Sequence, residues 1–303
     1  NIYSIARGWL GWCPQLCTVL LQLLLIYVAV PFLVCLFPVI PTEFVFLNFM
    51  VFPFLMNLWQ PALWMNTISL YLPTEPGVTA GIWPTVLGSS GTEAQGREQH
   101  WFEVSLADAH PIIIYLHGNR GTRATSHQIQ VMKLMGAASF HILALDYRGY
   151  RDSSGHPLES GFTSDILALY DWAKARSGNS SIIFWGHSLG TRITTNMVDT
   201  VTLESPYTSI HDVAAQIPIT KIYWQLPDFE YLILDSMGPG SMFFCNDENV
   251  KVLACPLLIL HEENNTVLSL QLGRQLFETI LTVSRFMFIL LYFLKSHTNI
   301  KSN

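Results

Sequence analysis

Charge is the first thing this chain lacks. After Arg7 there is no Asp, Glu, Lys or Arg until Glu43, and after Glu43 there is none until Glu75. So long a stretch without charge cannot be the solvated face of a water-soluble fold. Basic blocks are missing as well: 16 Lys and Arg stand against 22 Asp and Glu, a net charge of −6, which excludes nucleic acid as a partner. Cysteine is scarce. Cys13, Cys17 and Cys35 lie in the apolar front and Cys245 and Cys255 in the body, a spacing that fits neither a metal centre nor a disulfide scaffold. No internal repeat is visible. The first residue is Asn1 rather than methionine, which reads as a fragment or a processed chain.

What remains is apolar. A chain of 303 residues holds one α/β domain of ordinary size plus an appendage. The stretch from Trp9 to Phe37, centred on "CTVLLQLLLIYVAVPFLVCLF", is long enough to cross a bilayer as one helix. A buried core helix would carry a polar face, and a signal peptide a shorter apolar region with a small-residue cleavage site. Residues 1–43 are therefore read as an N-terminal membrane anchor. Residues 44–70 are apolar but broken by Pro53 and Pro61, with Trp59 and Trp64 suited to a headgroup boundary. They read as a segment at the membrane interface, with a second span or an apolar collar on the domain as alternatives.

Residues 71–303 have the composition of a globular domain with an atypical C-terminal end. "GSSGTEAQGREQ" (Gly88 to Gln99) is a polar surface loop. The short apolar runs "PIIIYLH", "FHILALD", "SIIFW", "TVTLES" and "CPLLILH" alternate with helical stretches near His127 to Met135, Gly161 to Arg176 and after Ser188. Such alternation predicts an α/β fold: a mostly parallel sheet covered by helices on both faces, with active groups at the carboxyl ends of its strands.

At one of those ends stands "WGHSLGT", a G-x-S-x-G motif with a strand before it and a helical stretch after it. In this context the glycines let a serine project from a tight turn, and Ser188 is the candidate nucleophile. Acyl transfer also needs donors aimed at the developing oxyanion. The backbone N–H of Leu189 is one candidate. The other is the backbone N–H of Asn119, or of its neighbour Arg120, in "YLHGNRGTR", where His117 reads as a brace for the loop.

These residues resemble a family. "HGNRGTR", "DYRGYRDS", "DWAKARSG", "WGHSLGT", "LESPYT" and "NDENVKVLACPLLILH" are similar to stretches of the membrane-anchored α/β-hydrolases typified by α/β-hydrolase-domain-containing protein 12, a lysophosphatidylserine and monoacylglycerol lipase. The likeness runs from about residue 20 to Phe277. It implies an α/β-hydrolase fold behind a single transmembrane helix in the endoplasmic reticulum membrane, with a lumenal domain and a Ser/His/Asp triad. No cofactor and no metal are implied, and the partners are membrane lipids and a lipid ester substrate; no protein partner can be named.

The chain departs from that pattern where the triad should close. The family's acid position, four residues beyond His261, is Asn265, and an amide can orient an imidazole without stabilising the imidazolium. Glu263, Glu262 and Glu204 are the alternative acids, each also readable as a solvated carboxylate. Beyond Phe277 the family likeness ends, and His297 is the only histidine after His261, hence the candidate base in chain order. Phe286 to Leu294 reads as a last buried strand. Arg192 and Arg151 stand where the family has glycine, and the connection from Ser188 to "VTLES" is shortened. Two functions remain open: a serine hydrolase of lipid esters, or a catalytically impaired relative that keeps the fold and binds lipid. Sequons at Asn179 and Asn264 are compatible with a lumenal, glycosylated domain.

Overall fold

The computed structural model describes residues 2–37, 46, 67–85, 97–119, 121–192, 198–216, 223, 245–265, 267–283 and 289–294. The first element, α1 (Ile2–Leu36), is a 35-residue helix, about 50 Å long at the usual rise. Within it Pro14–Leu33 has a mean hydropathy of 2.4 with only 6% of it buried, so it is long and apolar enough to cross a membrane. Leu16, Leu20, Leu23, Leu24 and Leu25 are all exposed. An apolar surface on every side of a helix suits lipid and not water. Lower down, Tyr27 stacks on Tyr223 with ring centroids 4.7 Å apart.

The domain is built on an eight-stranded sheet ordered β1-β2-β4-β3-β5-β6-β7-β8. Strands β1 (Leu70–Glu75) and β2 (Val78–Thr85) form an antiparallel hairpin across Pro76-Gly77. Gly77 holds φ +79°, which a Pro-Gly turn of this kind requires at its second central residue. β2 also runs antiparallel to β4 (His141–Asp146). The remaining strands, β3 (Ile112–Leu116), β5 (Ile182–His187), β6 (Thr200–Glu204), β7 (Leu257–Glu262) and β8 (Ile289–Leu294), pair in parallel with their neighbours.

Every residue of β3 and β4 is buried, as continuous apolar strands covered on two faces should be. Side chains alternate between those faces. Ile113, Tyr115 and Trp185 face α3 (Ser126–Ala137), packing with Ile129, Met132 and Met135. Ile112, Ile114, Leu116, Phe184 and Leu203 face the opposite side, where α4 (Glu159–Lys174) contributes Phe162 and Leu169 and α7 (Leu270–Val283) contributes Leu272, Leu276 and Ile280. Shorter helices are α2 (Gln99–Ser105), before β3, and α5 (Ile210–Gln216) and α6 (Asn246–Asn249), between β6 and β7.

The helix expected at Gly161–Arg176 starts two residues earlier and ends two residues earlier, and the expected last strand is β8. Gln99, read as the end of a polar loop, instead opens α2. That helix buries only Phe102, so it carries no apolar stripe by which sequence could reveal it. The segment read as membrane-facing contributes to the domain: Phe46 is 1% exposed and packs edge-on against Phe162, and Thr67 bridges to Thr85.

Candidate active site

Strand β5 ends at His187, and a single 3-10 turn, Ser188–Arg192, follows at once. Ser188 sits at the corner with φ +50°, a left-handed conformation that costs a non-glycine residue about 1–2 kcal/mol. The two glycines of the motif are explained by what surrounds them. A Cβ on Gly186 would come 2.1 Å from the Gly190 carbonyl oxygen, and one on Gly190 would come 2.2 Å from the Leu116 carbonyl oxygen. The corner closes only when both positions lack a side chain. Gly190→Ala is thus expected to destabilise the protein by about 3 kcal/mol or more through a backbone clash, read as a fall in thermal midpoint.

Side chains distant in sequence hold the corner. Thr191 Oγ1 donates to the Ser188 carbonyl at 2.6 Å, and buried Asn246 Nδ2 donates to Thr191 Oγ1 at 2.9 Å and to the Tyr207 carbonyl at 2.8 Å. Arg192 forms an ion pair with Glu159 and donates to its carbonyl at 3.1 Å, fastening the turn to α4. Arg151, expected from the resemblance to replace a glycine, holds φ +57°, a region where glycine would be at ease.

The loop after β3 rests on this corner. A Cβ on Gly118 would lie 3.1 Å from Ser188 Cβ and 2.8 Å from His187 Nδ1, so the loop backbone approaches the serine directly. His117 is fully buried, its Nδ1 2.8 Å from the Gly118 carbonyl oxygen, and burial pushes its pKa down to about 4. It is a neutral brace. Asn119 Oδ1 lies 3.3 Å from the Tyr150 hydroxyl, while Arg120 is outside the described residues. Farther along, buried Arg123 binds the Asp146 carboxylate through Nη1 at 2.8 Å and Asp152 through Nη2 at 2.8 Å. This ties the loop to the end of β4. Leu189 is buried at the start of the 3-10 turn.

Asn265, expected at the acid position, lies on the loop after β7. Asn265 Oδ1 accepts the backbone N–H groups of Val267 at 3.0 Å and Leu268 at 2.8 Å, and Nδ2 donates to Ser205 Oγ at 3.2 Å. The amide thus shapes its own turn and reaches toward β6. Glu263 is exposed on that turn and Glu262 is half-buried. His261 points inward, its Nε2 3.0 Å from the Leu268 carbonyl oxygen, and burial lowers its pKa. His297 falls outside the described residues, as does the tail around it.

Glu204, the third candidate acid, is engaged elsewhere. It is buried, with Oε1 2.8 Å from His127 Nε2 and Oε2 accepting Trp185 Nε1–H at 2.9 Å. Burial raises its pKa, but the His127 hydrogen bond, the neighbouring histidine charges and the indole donor outweigh that and hold it below the usual carboxylate value. Conversely, the Glu204 hydrogen bond raises His127 against the effect of burial.

The linkage has a definite sign. The raised histidine stabilises the fold fully below its unfolded pKa of 6.5 and loses this as pH rises through its folded value. The lowered carboxyl stabilises it above 4.5 and loses this as pH falls through its folded value. The stability difference between wild type and His127→Gln is therefore expected to peak between about pH 4.5 and 6.5 and to shrink above it. Chemical denaturation across that range measures it.

A family model for the α/β-hydrolase fold matches residues 111–206, the span from β3 to the loop after β6. The lysophosphatidylserine lipase ABHD12 of Danio rerio is 41% identical over 284 residues, covering 90% of this chain and 74% of its relative. The chain belongs to the ABHD12 family. The family's Rattus norvegicus lysophosphatidylserine lipase is 43% identical over 271 residues, covering 86% of this chain and 68% of the relative, and the human protein ABHD12B is 42% identical over 245 residues, covering 77% and 68%. In three dimensions, this ABHD12-family chain resembles the Pyrococcus furiosus esterase Pf2001, with a TM-score of 0.58 at 17% identity, covering 80% of this chain and 87% of that one. At that identity the likeness bears on the fold alone.

Proposed function

We propose that this ABHD12-family chain is a membrane-tethered serine hydrolase of lipid esters, acting on lysophospholipids such as lysophosphatidylserine or on monoacylglycerols. The observation that carries the reading is Ser188 at φ +50° on the corner after β5, with the Gly118 backbone against it. In this scheme Ser188 Oγ attacks the acyl carbonyl, and the N–H groups of Leu189 and Asn119 receive the charge on its oxygen. His297 takes the serine proton and returns it to the departing glycerol oxygen. Water then releases the fatty acid from the acyl-serine. The lysophosphatidylserine for which the relatives are named and the apolar α1 support an amphiphilic ester over a freely soluble one. A span with Arg7 before it and Glu43 after it, together with exposed Asn179 and Asn264, supports a lumenal domain anchored in the endoplasmic reticulum membrane.

One observation favours a second reading. Asn265 donates a proton toward Ser205 where a triad acid would accept one, so this chain could bind lipid without turning it over. Hydrolysis of lysophosphatidylserine and monoacylglycerol in mixed micelles, compared with a short water-soluble ester, separates the two. Preference for the amphiphiles supports the lipase. Saturable binding of the same lipids without product release supports the silent relative.

A further inference from the structure

On the α3 face of the sheet, one residue before Ser188, three metal-binding side chains converge. His187 and Glu204 are paired directly across β5 and β6, so they rise from the same face of the sheet. His127, in the first turn of α3, reaches the pair from above, and its ring centroid is 5.1 Å from that of His187. One ligand atom from each residue lies within 4.8 Å of the others. We propose that His127, His187 and Glu204 form a binding site for a divalent transition-metal ion of the zinc class.

The donor set fits that ion. Two imidazoles and a carboxylate bind zinc at about 2.0–2.2 Å, which places the ligand atoms about 3.4 Å apart in a tetrahedron. The three groups need close only slightly, and the 2.8 Å His127–Glu204 hydrogen bond need open only slightly. Glu204 is prepared for this, because Trp185 Nε1–H fixes Oε2 and leaves Oε1 directed at His127. A hydrogen bond of this kind orients a ligating carboxylate. Burial disfavours the charged form of the His187 ring. Glu262, whose negative charge acts on His127, adds to the attraction for a cation. The ligands come from three elements, so an ion would join the ends of β5 and β6 to α3 beside the corner that carries Ser188. The spacing of cysteines in the sequence could not reveal such a site, since its members are separated by 60 and 17 residues.

A second cluster, Asp108, His110 and His141, lies at the opposite, amino-terminal end of the strands and supplies the control. The test is titration of the full chain, stripped of metal and held in detergent micelles, with Zn(II) alone by calorimetry. Wild type should take up one ion that depends on the proposed ligands. His127→Gln and Glu204→Gln should each weaken that uptake at least tenfold, while Asp108→Asn should leave it unchanged. His127 is 46% exposed, so its variant folds and decides the matter if Glu204→Gln does not. Equal uptake by wild type and His127→Gln, no saturable uptake by wild type, or loss confined to Asp108→Asn would each overturn the proposal.

Discussion

Ser188→Ala is expected to lower turnover of lipid esters by at least about 10³-fold while leaving KM within a few-fold of wild type. The reason is that only the hydroxyl is removed. The corner itself depends on Gly186 and Gly190 and on the chain of bonds from Asn246 through Thr191 to the Ser188 carbonyl, none of which uses Oγ. If Ser188 is the attacking group, the rest of the proposed site persists and the loss falls on kcat. A thermal midpoint close to wild type would confirm that the fold is intact. Unchanged turnover would show that Ser188 is not the attacking group.

Asn265→Asp is expected to raise kcat by about 10²- to 10⁴-fold, reversing the penalty that the amide imposes in a triad. The loop is built to accept the change. A carboxylate at this position keeps the hydrogen bonds from the Val267 and Leu268 N–H groups through one oxygen. Its other oxygen can accept from the Ser205 hydroxyl or from an imidazole, where the present Nδ2 can only donate. Adding His297→Ala to Asn265→Asp should abolish the gain if His297 is the base. No gain from Asn265→Asp alone would favour the silent, lipid-binding relative.

The sheet was legible because β3 and the Ile142–Leu145 centre of β4 are short, uninterrupted apolar runs, as strands covered on both faces are. The corner at Ser188 was legible because its motif is local: a strand, two glycines and a turn within a dozen residues. What holds the corner was not. Asn246 lies 55 residues from Thr191, and Arg192 meets Glu159 across 33, contacts that leave no period in the chain. "NDEN" could be noted only as part of a family likeness, although its first residue is wholly buried and, through Thr191, supports the backbone at Ser188. The same applies to His127, which looks like an ordinary surface residue until α3 folds onto the sheet, and to its pairing with Glu204. Phe46 illustrates a different limit: an apolar residue near a membrane anchor looks the same in sequence whether it meets lipid or the domain core.

The central claim is that Ser188 is a nucleophile presented to a pocket of backbone donors, and covalent labelling tests it most directly. The detergent-solubilised chain is treated with a fluorophosphonate, and the adduct is counted by intact mass and located by peptide sequencing. The account predicts one adduct per chain, on Ser188, absent from Ser188→Ala and retained in His261→Ala. A folded wild-type protein that takes up no label, or carries it on another residue, would contradict it.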